Sequence, residues 1–200
     1  AIDGPAASGK SSTARAVADA LGFAHLDSGA LYRGVTLVAL QELARRGLHG
    51  APADQLDADA MLRATEERGL ALFPDGAGFA AYLGGEPVDD AIRSADVTRH
   101  VSAVSALPAV REWVNSRLRA LVREGRDVVV DGRDIGTVVF PDADLKVFLT
   151  ASAEARAGRR ISQRGRAIDS AEVAREAAEL SARDAADSTR AVAPLRRADD

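Results

Sequence analysis

The feature that most constrains the fold lies in the first eleven residues of the chain. Residues 4–11 read GPAASGKS and fit the pattern G-x-x-x-x-G-K-[S/T]. Residues 1–3 (AID) are typical of the end of a strand and precede the pattern. The apolar positions Ala14, Val17, Ala18 and Leu21 follow it with the spacing of one helix face. A strand, a glycine-rich loop and a helix in this order predict a phosphate-binding loop.

The residues of this loop have distinct chemical roles. The glycines let backbone N–H groups point inward, and the helix N-terminus adds partial positive charge. Lys10 is expected to reach the β and γ phosphates of a nucleoside triphosphate, and the Ser11 hydroxyl to ligate Mg²⁺. Asp131, which ends a later strand, is expected to contact the metal through water. The expected ATP-binding set is Gly4, Pro5, Ala6, Ala7, Ser8, Gly9, Lys10, Ser11 and Ser12.

Composition bounds the remaining possibilities. The 200 residues suffice for one domain, and the absence of cysteine excludes a cysteine-based zinc or redox site. The net charge of −4 argues against a general nucleic-acid binder. No apolar run approaches the roughly 20 residues needed to cross a bilayer, and no secretory segment opens the chain. We expect a cytoplasmic protein with small-molecule substrates, trimmed at its N-terminus because it lacks an initiator methionine.

Strands and helices alternate along much of the chain, which predicts a three-layer α/β/α fold with a parallel central sheet. The expected strands are Phe23–Leu26, Asp127–Val130 and Asp144–Thr150. A long helix covers about 30–46, with an apolar stripe of Leu31, Val35 and Val38 on one face. Residues 48–95 differ, because they contain a short helix and a predicted hairpin formed by Leu70–Phe73 and Phe79–Leu83. We interpret them as a small insert on the core.

The segment after the last strand is rich in arginine. It holds Arg156, Arg159, Arg160, Arg164 and Arg166 with no acidic residue among them. Asp169, with Glu172 three residues later, predicts a capping box at the start of a C-terminal helix. The predicted plan is a single domain over 1–200, with a core at about 1–47 and 96–150, an insert at 48–95, a helical lid at 154–170 and a helix at 170–187.

The pattern of residues 4–11 alone does not separate a kinase, a GTPase, an ATPase motor or a sulfotransferase-like binder. The chain has no N-K-x-D segment to read guanine, which argues against a GTPase. Asp131 is followed by Gly132-Arg133-Asp134, which indicates a binding loop rather than the hydrolytic site of a motor. The short chain, the insert and the arginine-rich segment together favour a small kinase.

Four segments carry a resemblance to a known family. They are Ile2–Pro5, Leu26–Arg33 (LDSGALYR), Asp131–Ala143 (DGRDIGTVVFPDA) and Arg190–Leu195 (RAVAPL). With them, the chain resembles bacterial cytidylate kinases over essentially its whole length. The resemblance implies transfer of the ATP γ-phosphoryl group to CMP or dCMP, a need for Mg²⁺, a P-loop kinase fold with a monophosphate-binding insert and a lid, and a monomer. It also implies a further strand and helix beyond the point where this chain stops.

The resemblance assigns roles residue by residue. Arg33, Arg133 and Arg190 match the arginines around the CMP phosphate, and Ser102, Arg111 and Asp134 match the cytosine readers. Arg183 and Asp187 match the pair that contacts the ribose, and Ser28 lies in the loop beside them. The expected catalytic residues are Lys10, Arg133, Arg190, Arg159 and Arg160, with Arg156 as a further lid candidate. Ala7 departs from the pattern, because glycine is common at this position.

The chemistry of these residues supports the assignment. A carboxylate such as Asp134 can accept from the exocyclic amine of cytosine and would repel the carbonyl oxygen of uracil. Guanidinium groups bind phosphate in a bidentate fork. The acceptor phosphate has a second pKa near 6, so it is mostly dianionic at pH 7 and no general base is required.

Structural alternatives remain for each residue. Asp134 could simply pair with Arg133, and Arg183 with Asp187 across one helical turn. Ser102 could be an ordinary helical serine, and the basic residues Arg33, Arg111, Arg190 and Arg156–Arg166 could be solvated surface charges. At the level of function, the alternatives are a kinase for AMP, UMP or shikimate, and an ATP-dependent switch or binding protein.

Overall fold

The computed structural model describes residues 1–122, 125–163, 165 and 169–200. The described strands are β1 (Ile2–Asp3), β2 (Ala24–Asp27), β3 (Ala71–Asp75), β4 (Gly78–Leu83), β5 (Glu86–Pro87), β6 (Val128–Gly132) and β7 (Val147–Phe148). The described α-helices are α1 (Lys10–Leu21), α2 (Gly29–Arg45), α3 (Ala58–Glu67), α4 (Ala95–Ala106), α5 (Pro108–Val122), α6 (Ala153–Gln163) and α7 (Ser170–Thr189). Arg164, Arg166 and the neighbouring residues 167–168 of the expected lid lie outside the described residues.

The fold is mixed α/β with a central, mostly parallel sheet, which confirms the fold class predicted from the sequence. By contact density the chain forms two compact units. The first unit comprises residues 1–16 and 131–200, and the second unit comprises residues 17–130. The second unit therefore contains the expected insert together with the segments on either side of it.

The first unit contains β1, which pairs in parallel with the end of β6 and with β7. We expected the last strand to cover Asp144–Thr150, but its ladder is limited to Val147–Phe148. The reason is that β1 offers only two residues for pairing before Gly4 begins the phosphate loop. Helices α6 and α7 follow and pack on each other, with Ala157, Ile161 and Leu180 almost fully buried.

The N-terminus of α7 has the cap that the sequence predicts. The Asp169 side chain accepts a hydrogen bond from the Glu172 backbone N–H at 3.2 Å. Such a cap satisfies one of the backbone donors left free at a helix start. The Asp169 half of the predicted capping box is confirmed.

The second unit is organised around α2. Leu31, Val35 and Val38, the predicted apolar stripe of this helix, are all buried. The predicted hairpin is present as β3 and β4, and β4 also pairs in parallel with β2, at Gly78 and His25. The hairpin therefore extends the sheet of the second unit.

One expected helix face is only partly buried. In α1, Ala14 and Ala18 are fully buried, whereas Val17 and Leu21 are 37% and 57% exposed. The sequence places all four on one helix face, and only the two alanines of that face are buried. Among the described residues, no helix is both long and apolar enough to span a membrane.

Candidate active site

The phosphate loop of the first unit has the backbone shape that its glycines predict. Gly4 and Gly9 have φ angles of 149° and 101°, which side-chain-bearing residues rarely adopt. A Cβ at Gly4 would overlap the Leu149 carbonyl oxygen, so only glycine lets the loop pass β7 this closely. Ala7 has a φ angle of 58°, in the left-handed region where an alanine is strained.

Lys10 lies inside the loop rather than in solvent. Its Nζ donates to the Pro5 carbonyl oxygen at 2.6 Å and to Ser8 Oγ at 3.4 Å. Burial, followed by the positive charge of Arg133, lowers the pKa of Lys10 to about 7, while Asp131 opposes that shift. A bound phosphate would raise this pKa again, because a nearby negative charge favours the ammonium form.

Ser11 and Asp131 lie side by side at the end of β6. The Ser11 hydroxyl donates to Asp131 Oδ2 at 2.7 Å. Mg²⁺ prefers oxygen ligands and is commonly held by one or two side chains plus substrate phosphates. In the described parts of the chain, no group of three or more His, Cys, Asp or Glu side chains could hold a metal ion. The two side-chain oxygens of this pair fit a divalent cation that is also held by nucleotide phosphates.

The arginines of the first unit are paired with carboxylates. Arg133 Nε donates to Asp187 Oδ2 at 3.0 Å, and Arg190 Nη2 lies 3.5 Å from Asp134 Oδ1. The structure thus describes Asp187 against Arg133 and Asp134 against Arg190. The Arg190 side chain is only 7% exposed, so Arg190 is not a solvated surface charge. Each guanidinium is held in place by a carboxylate from a distant part of the sequence.

Sequence reasoning missed Asp3. Its two carboxylate oxygens accept hydrogen bonds from the backbone N–H groups of Ile135 and Gly136, both at 2.8 Å. Burial raises the pKa of Asp3, and these two hydrogen bonds oppose the shift. Asp3 thereby fixes a π-helical turn, Ile135–Val139, immediately after Arg133 and Asp134. The aspartate just before the loop was the available signal, but its partners lie more than 130 residues away.

The three lid candidates occupy different environments. Arg159 is exposed, and its Nη1 lies 3.4 Å from the Ser8 carbonyl oxygen of the phosphate loop. Arg160 pairs with Glu176 of α7 at 2.7 Å. Arg156 is buried and donates to the Ala6 carbonyl oxygen at 2.8 Å. The interpretation of Arg156 as a solvated charge was therefore wrong.

In the second unit, Arg33 is held by neutral groups. Its Nη1 donates to Thr98 Oγ1 at 2.9 Å and to the Ile92 carbonyl oxygen at 3.2 Å. Thr98 lies on α4, so Arg33 ties α2 to that helix. Sequence reasoning did not single out Thr98, because a lone threonine in a helix carries no distinguishing pattern.

Arg111 of α5 is also in the second unit and is 2% exposed. Its Nη1 donates to the Ser105 carbonyl oxygen at 3.0 Å, and its guanidinium lies 5.4 Å from the centre of the Tyr32 ring. A solvated surface role for Arg111 is thus wrong. Ser102, on α4, is half-buried and accepts a hydrogen bond from the Ser105 hydroxyl through its carbonyl oxygen.

Ser28 precedes α2 and is buried. Its side chain makes no capping hydrogen bond; instead, Asp27 Oδ1 accepts from the Gly29 N–H at 2.9 Å. The other oxygen of Asp27 lies 3.4 Å from Arg93 Nη2. Asp27 and Arg93 are two further polar residues beside Ser28 that sequence reasoning did not identify.

The predicted site residues thus fall into two groups, described separately. The first unit brings together most of them: Gly4, Pro5, Ala6, Ala7, Ser8, Gly9, Lys10, Ser11, Ser12, Asp131, Arg133, Asp134, Arg159, Arg160, Arg183, Asp187 and Arg190. The second unit holds Ser28, Arg33, Ser102 and Arg111. Arg183 is half-buried on α7, one turn before Asp187.

The structure combines a strained phosphate loop and a buried lysine with a serine–aspartate pair, several ordered arginines and a mostly parallel α/β sheet. These features define a P-loop kinase. The family model for cytidylate kinase matches residues 1–200. A cytidylate kinase of Rhodococcus opacus (strain B4) is 50% identical over 203 residues, which cover 100% of this chain and 83% of the relative. Those of Mycobacterium avium (strain 104) and Streptococcus equi subsp. equi (strain 4047) are 46% and 44% identical over 202 residues, covering 100% of this chain and 84% of each relative. The chain belongs to the cytidylate kinase family and is an enzyme, a phosphotransferase.

Proposed function

We propose that this chain transfers the γ-phosphoryl group of ATP to CMP or dCMP, giving ADP and CDP or dCDP. Membership of the cytidylate kinase family supports the substrate pair. The structural observation that carries the proposal is the end of β6: Asp131 is bonded to Ser11 of the phosphate loop, and Arg133 and Asp134 follow within three residues. One short segment thus links triphosphate chemistry to an arginine and a carboxylate suited to a nucleotide acceptor.

On the donor side, the phosphate loop binds ATP. Backbone N–H groups of the loop and the N-terminus of α1 donate to the phosphate oxygens. Lys10 moves from its contact with the Pro5 carbonyl to the β and γ phosphates, where the negative charge keeps it protonated. The Ser11 hydroxyl, with Asp131 through water, would hold Mg²⁺, which when bound neutralises charge on the β and γ phosphates.

On the acceptor side, the proposed roles follow the resemblance to the family. Arg33, Arg133 and Arg190 bind the CMP phosphate through their guanidinium forks. Asp134, Arg111 and Ser102 recognise cytosine, and Asp187 and Arg183 bind the ribose, beside the loop of Ser28. Asp134 accepts from the exocyclic amine, and this contact disfavours uracil, which presents an oxygen at the same place.

The chemical step is an in-line displacement. A phosphate oxygen of CMP attacks the γ phosphorus, the new P–O bond forms, and the bond from the γ phosphorus to the β,γ-bridging oxygen breaks. ADP leaves with that electron pair. The acceptor oxygen is already anionic at pH 7, so no residue has to remove a proton. The protein contributes position and positive charge from Lys10, Arg133 and Arg190, joined by the lid arginines Arg159 and Arg160.

Binding of the acceptor requires an exchange of partners. Arg133 and Arg190 bind carboxylates in the structure, and a nucleotide phosphate competes for the same donors. Because Asp187 and Asp134 are themselves proposed to bind ribose and base, each released carboxylate gains a substrate hydroxyl or amine as its new partner. The exchange keeps buried charges compensated.

The experiment is an acceptor panel. The protein is incubated with Mg-ATP and CMP, dCMP, UMP or AMP, and ADP formation is followed. The proposal expects ADP with CMP and dCMP far above UMP and AMP, and loss of at least about a hundredfold in rate for Lys10→Ala. Equal ADP formation with and without an acceptor would contradict it and support an ATP-dependent switch. A preference for AMP or UMP would move the assignment to another acceptor.

We also propose, from the resemblance, that the protein acts as a monomer in the cytoplasm. Sedimentation equilibrium at micromolar concentration tests the first point. A mass near 20.9 kDa is expected, and twice that value would contradict it.

A further inference from the structure

One residue of the phosphate loop has both of its backbone polar groups bound by a single ion pair. The Ala6 N–H donates to Asp184 Oδ1 at 3.0 Å, and the Ala6 carbonyl oxygen accepts from Arg156 Nη1 at 2.8 Å. The same Arg156 Nη1 donates to Asp184 Oδ2 at 2.5 Å. The three groups form a closed set, which we call the Ala6 clamp: Ala6, Arg156 and Asp184.

The clamp is anchored at its far side. Arg156 Nε donates to the carbonyl oxygens of Ala151 and Ser152, at 3.0 and 3.3 Å, just before α6 begins. Asp184 lies on α7, and the side chains of Arg156 and Asp184 are 6% and 17% exposed. A guanidinium fixed by backbone carbonyls at its base has little freedom to leave Ala6.

Apolar packing reinforces the same contact. Ala6 belongs to a buried cluster with Ala157 of α6 and with Ala177 and Leu180 of α7. Ala7 packs against this cluster from the loop. The back of the phosphate loop is therefore joined to both helices by side-chain packing as well as by the ion pair.

The residue next to the clamp is the strained one. Ala7 has a φ angle of 58°, a conformation that disfavours any residue with a Cβ. The peptide between Ala6 and Ala7 carries the carbonyl that Arg156 holds. Fixing that peptide restricts the backbone rotations by which Ala7 could leave its positive φ angle. If Ala7 left it, the following N–H groups of the loop would no longer point inward toward the phosphates.

We propose that Arg156 and Asp184 are positioning residues for ATP: they hold the Ala6–Ala7 peptide in the strained shape that lets the phosphate loop bind the triphosphate. The inference rests on the proposed role of residues 4–12 as the triphosphate site. The proposal gives Arg156 a different role from the lid arginines Arg159 and Arg160. Arg156 binds the Ala6 carbonyl oxygen, and the contacts described for Arg159 and Arg160 are with other residues.

The clamp predicts a specific pattern of kinetic effects. Asp184→Asn keeps the size of the side chain and removes the charge that orients Arg156. We expect it to raise the KM and the Kd for ATP about tenfold, the order of the left-handed penalty at Ala7. The KM for CMP should change by less than about twofold, because the acceptor groups are not part of the clamp. Arg156→Lys should act in the same direction, because lysine has no Nε–H group to keep the contacts with the Ala151 and Ser152 carbonyls.

The test combines these variants with Ala7→Gly. Glycine adopts a positive φ without strain, so the loop no longer depends on the clamp. In the Ala7→Gly background, Asp184→Asn should raise the Kd for ATP only about twofold, against about tenfold in the wild-type background. A purely structural role for Asp184 would lower stability in both backgrounds and show no such coupling. ATP binding is measured by isothermal titration without CMP, and folding by circular dichroism.

Glu176→Gln is the matched control. It weakens the neighbouring ion pair between α7 and α6, formed with Arg160, and leaves the contacts of Ala6 intact. Its Kd for ATP should stay within about twofold of the wild type. The clamp is overturned if Asp184→Asn leaves the Kd for ATP unchanged, if it weakens ATP and CMP equally, or if Ala7→Gly does not reduce its effect. A wild-type protein that binds ATP but phosphorylates no cytidine nucleotide would instead overturn the proposed function.

Discussion

The predicted site arginines of the two units differ in the hydrogen bonds that the structure describes for them. In the first unit, Arg133, Arg156 and Arg190 each contact an aspartate. In the second unit, Arg33 and Arg111 donate to backbone carbonyls, and Arg33 also donates to a threonine hydroxyl. Among these site arginines, those of the first unit contact aspartates, whereas the hydrogen bonds described for Arg33 and Arg111 go to neutral oxygens.

The difference matters for what happens when an anion binds. A guanidinium ordered by neutral oxygens keeps its full charge for a phosphate. One that is paired with a carboxylate must change partners, and a buried carboxylate left behind is costly unless it gains a new donor. Arg133 and Arg190 must therefore exchange an aspartate for a substrate phosphate, whereas the hydrogen bonds described for Arg33 can be replaced without leaving a carboxylate behind.

The largest expected effect tests this contrast directly. Arg133→Ala should lower kcat by about 10²–10³-fold, because it removes charge stabilisation at the reacting phosphates. It should also lower the free energy of unfolding by about 3 kcal/mol, because the buried Asp187 loses its cation. Arg33→Ala should instead raise the KM for CMP about tenfold and cost about 1 kcal/mol of stability. Initial rates and urea unfolding measure both.

Arg45→Ala is the control, because Arg45 lies on α2 like Arg33 and its side chain is 78% exposed. It should change neither rate nor stability appreciably. If Arg33→Ala lowered the free energy of unfolding as much as Arg133→Ala, the expectation that losing the partner of an aspartate costs more stability would be contradicted.

The next effect concerns the base. Asp134→Asn should reduce the preference for CMP over UMP by about 10- to 100-fold, because the amide can donate to the uracil oxygen that the carboxylate repels. Asp187→Asn is its counterpart, since the ribose is common to both nucleotides. It should lower kcat/KM for CMP and UMP alike. Assays with each nucleotide at limiting concentration give both ratios, and an unchanged ratio for Asp134→Asn would remove Asp134 from base recognition.

Much of this arrangement follows from local sequence. The strand–loop–helix order around residues 4–11, the stripe of α2 and the Asp169 cap each depend on residues within a few positions of one another. The carboxylate partners do not. Arg133 is 54 residues from Asp187, and Ala6 is 178 residues from Asp184. No spacing rule relates such positions, so the residues could be named from the sequence but their pairings could not.

The burial of individual side chains is also predicted poorly by the local sequence pattern. Arg111 and Arg156 occupy helix positions that a charge pattern assigns to solvent, yet both are buried. Tertiary contacts decide this, since Arg156 donates to Ala6 and Asp184 and the Arg111 guanidinium lies over the Tyr32 ring. Conversely, Val17 and Leu21 are apolar and exposed, because packing in α1 uses only the small alanines.

A smaller effect separates two arginines of one helix. Arg111 and Arg117 both lie on α5 and both stack on an aromatic ring, at 5.4 Å from Tyr32 and 3.8 Å from Trp113. Arg111→Lys should raise the KM for CMP about fivefold, because lysine lacks the planar fork. Arg117→Lys should leave it unchanged. Equal effects would indicate that α5 packing, and not base recognition, explains the result.

The smallest effect should be the same in both units. Asp57 caps α3 in the second unit by accepting from the Ala60 N–H at 3.1 Å, as Asp169 caps α7 in the first. Alanine at either position should cost about 1 kcal/mol of unfolding free energy. Urea titrations of the two variants check this. A loss of more than about 3 kcal/mol at one cap would show that the units differ in more than their arginine partners.

The chain has a single tryptophan, and its surroundings give it a distinct use. Trp113 is 8% exposed, donates through Nε1 to Glu66 at 2.9 Å, and carries the Arg117 guanidinium over its ring. All three residues belong to α3 and α5 of the second unit. Intrinsic fluorescence therefore reports the loss of packing in that unit, while far-UV circular dichroism reports every helix. Comparing the fluorescence and circular dichroism unfolding curves therefore shows whether the second unit unfolds together with the rest of the chain, and no added label is needed.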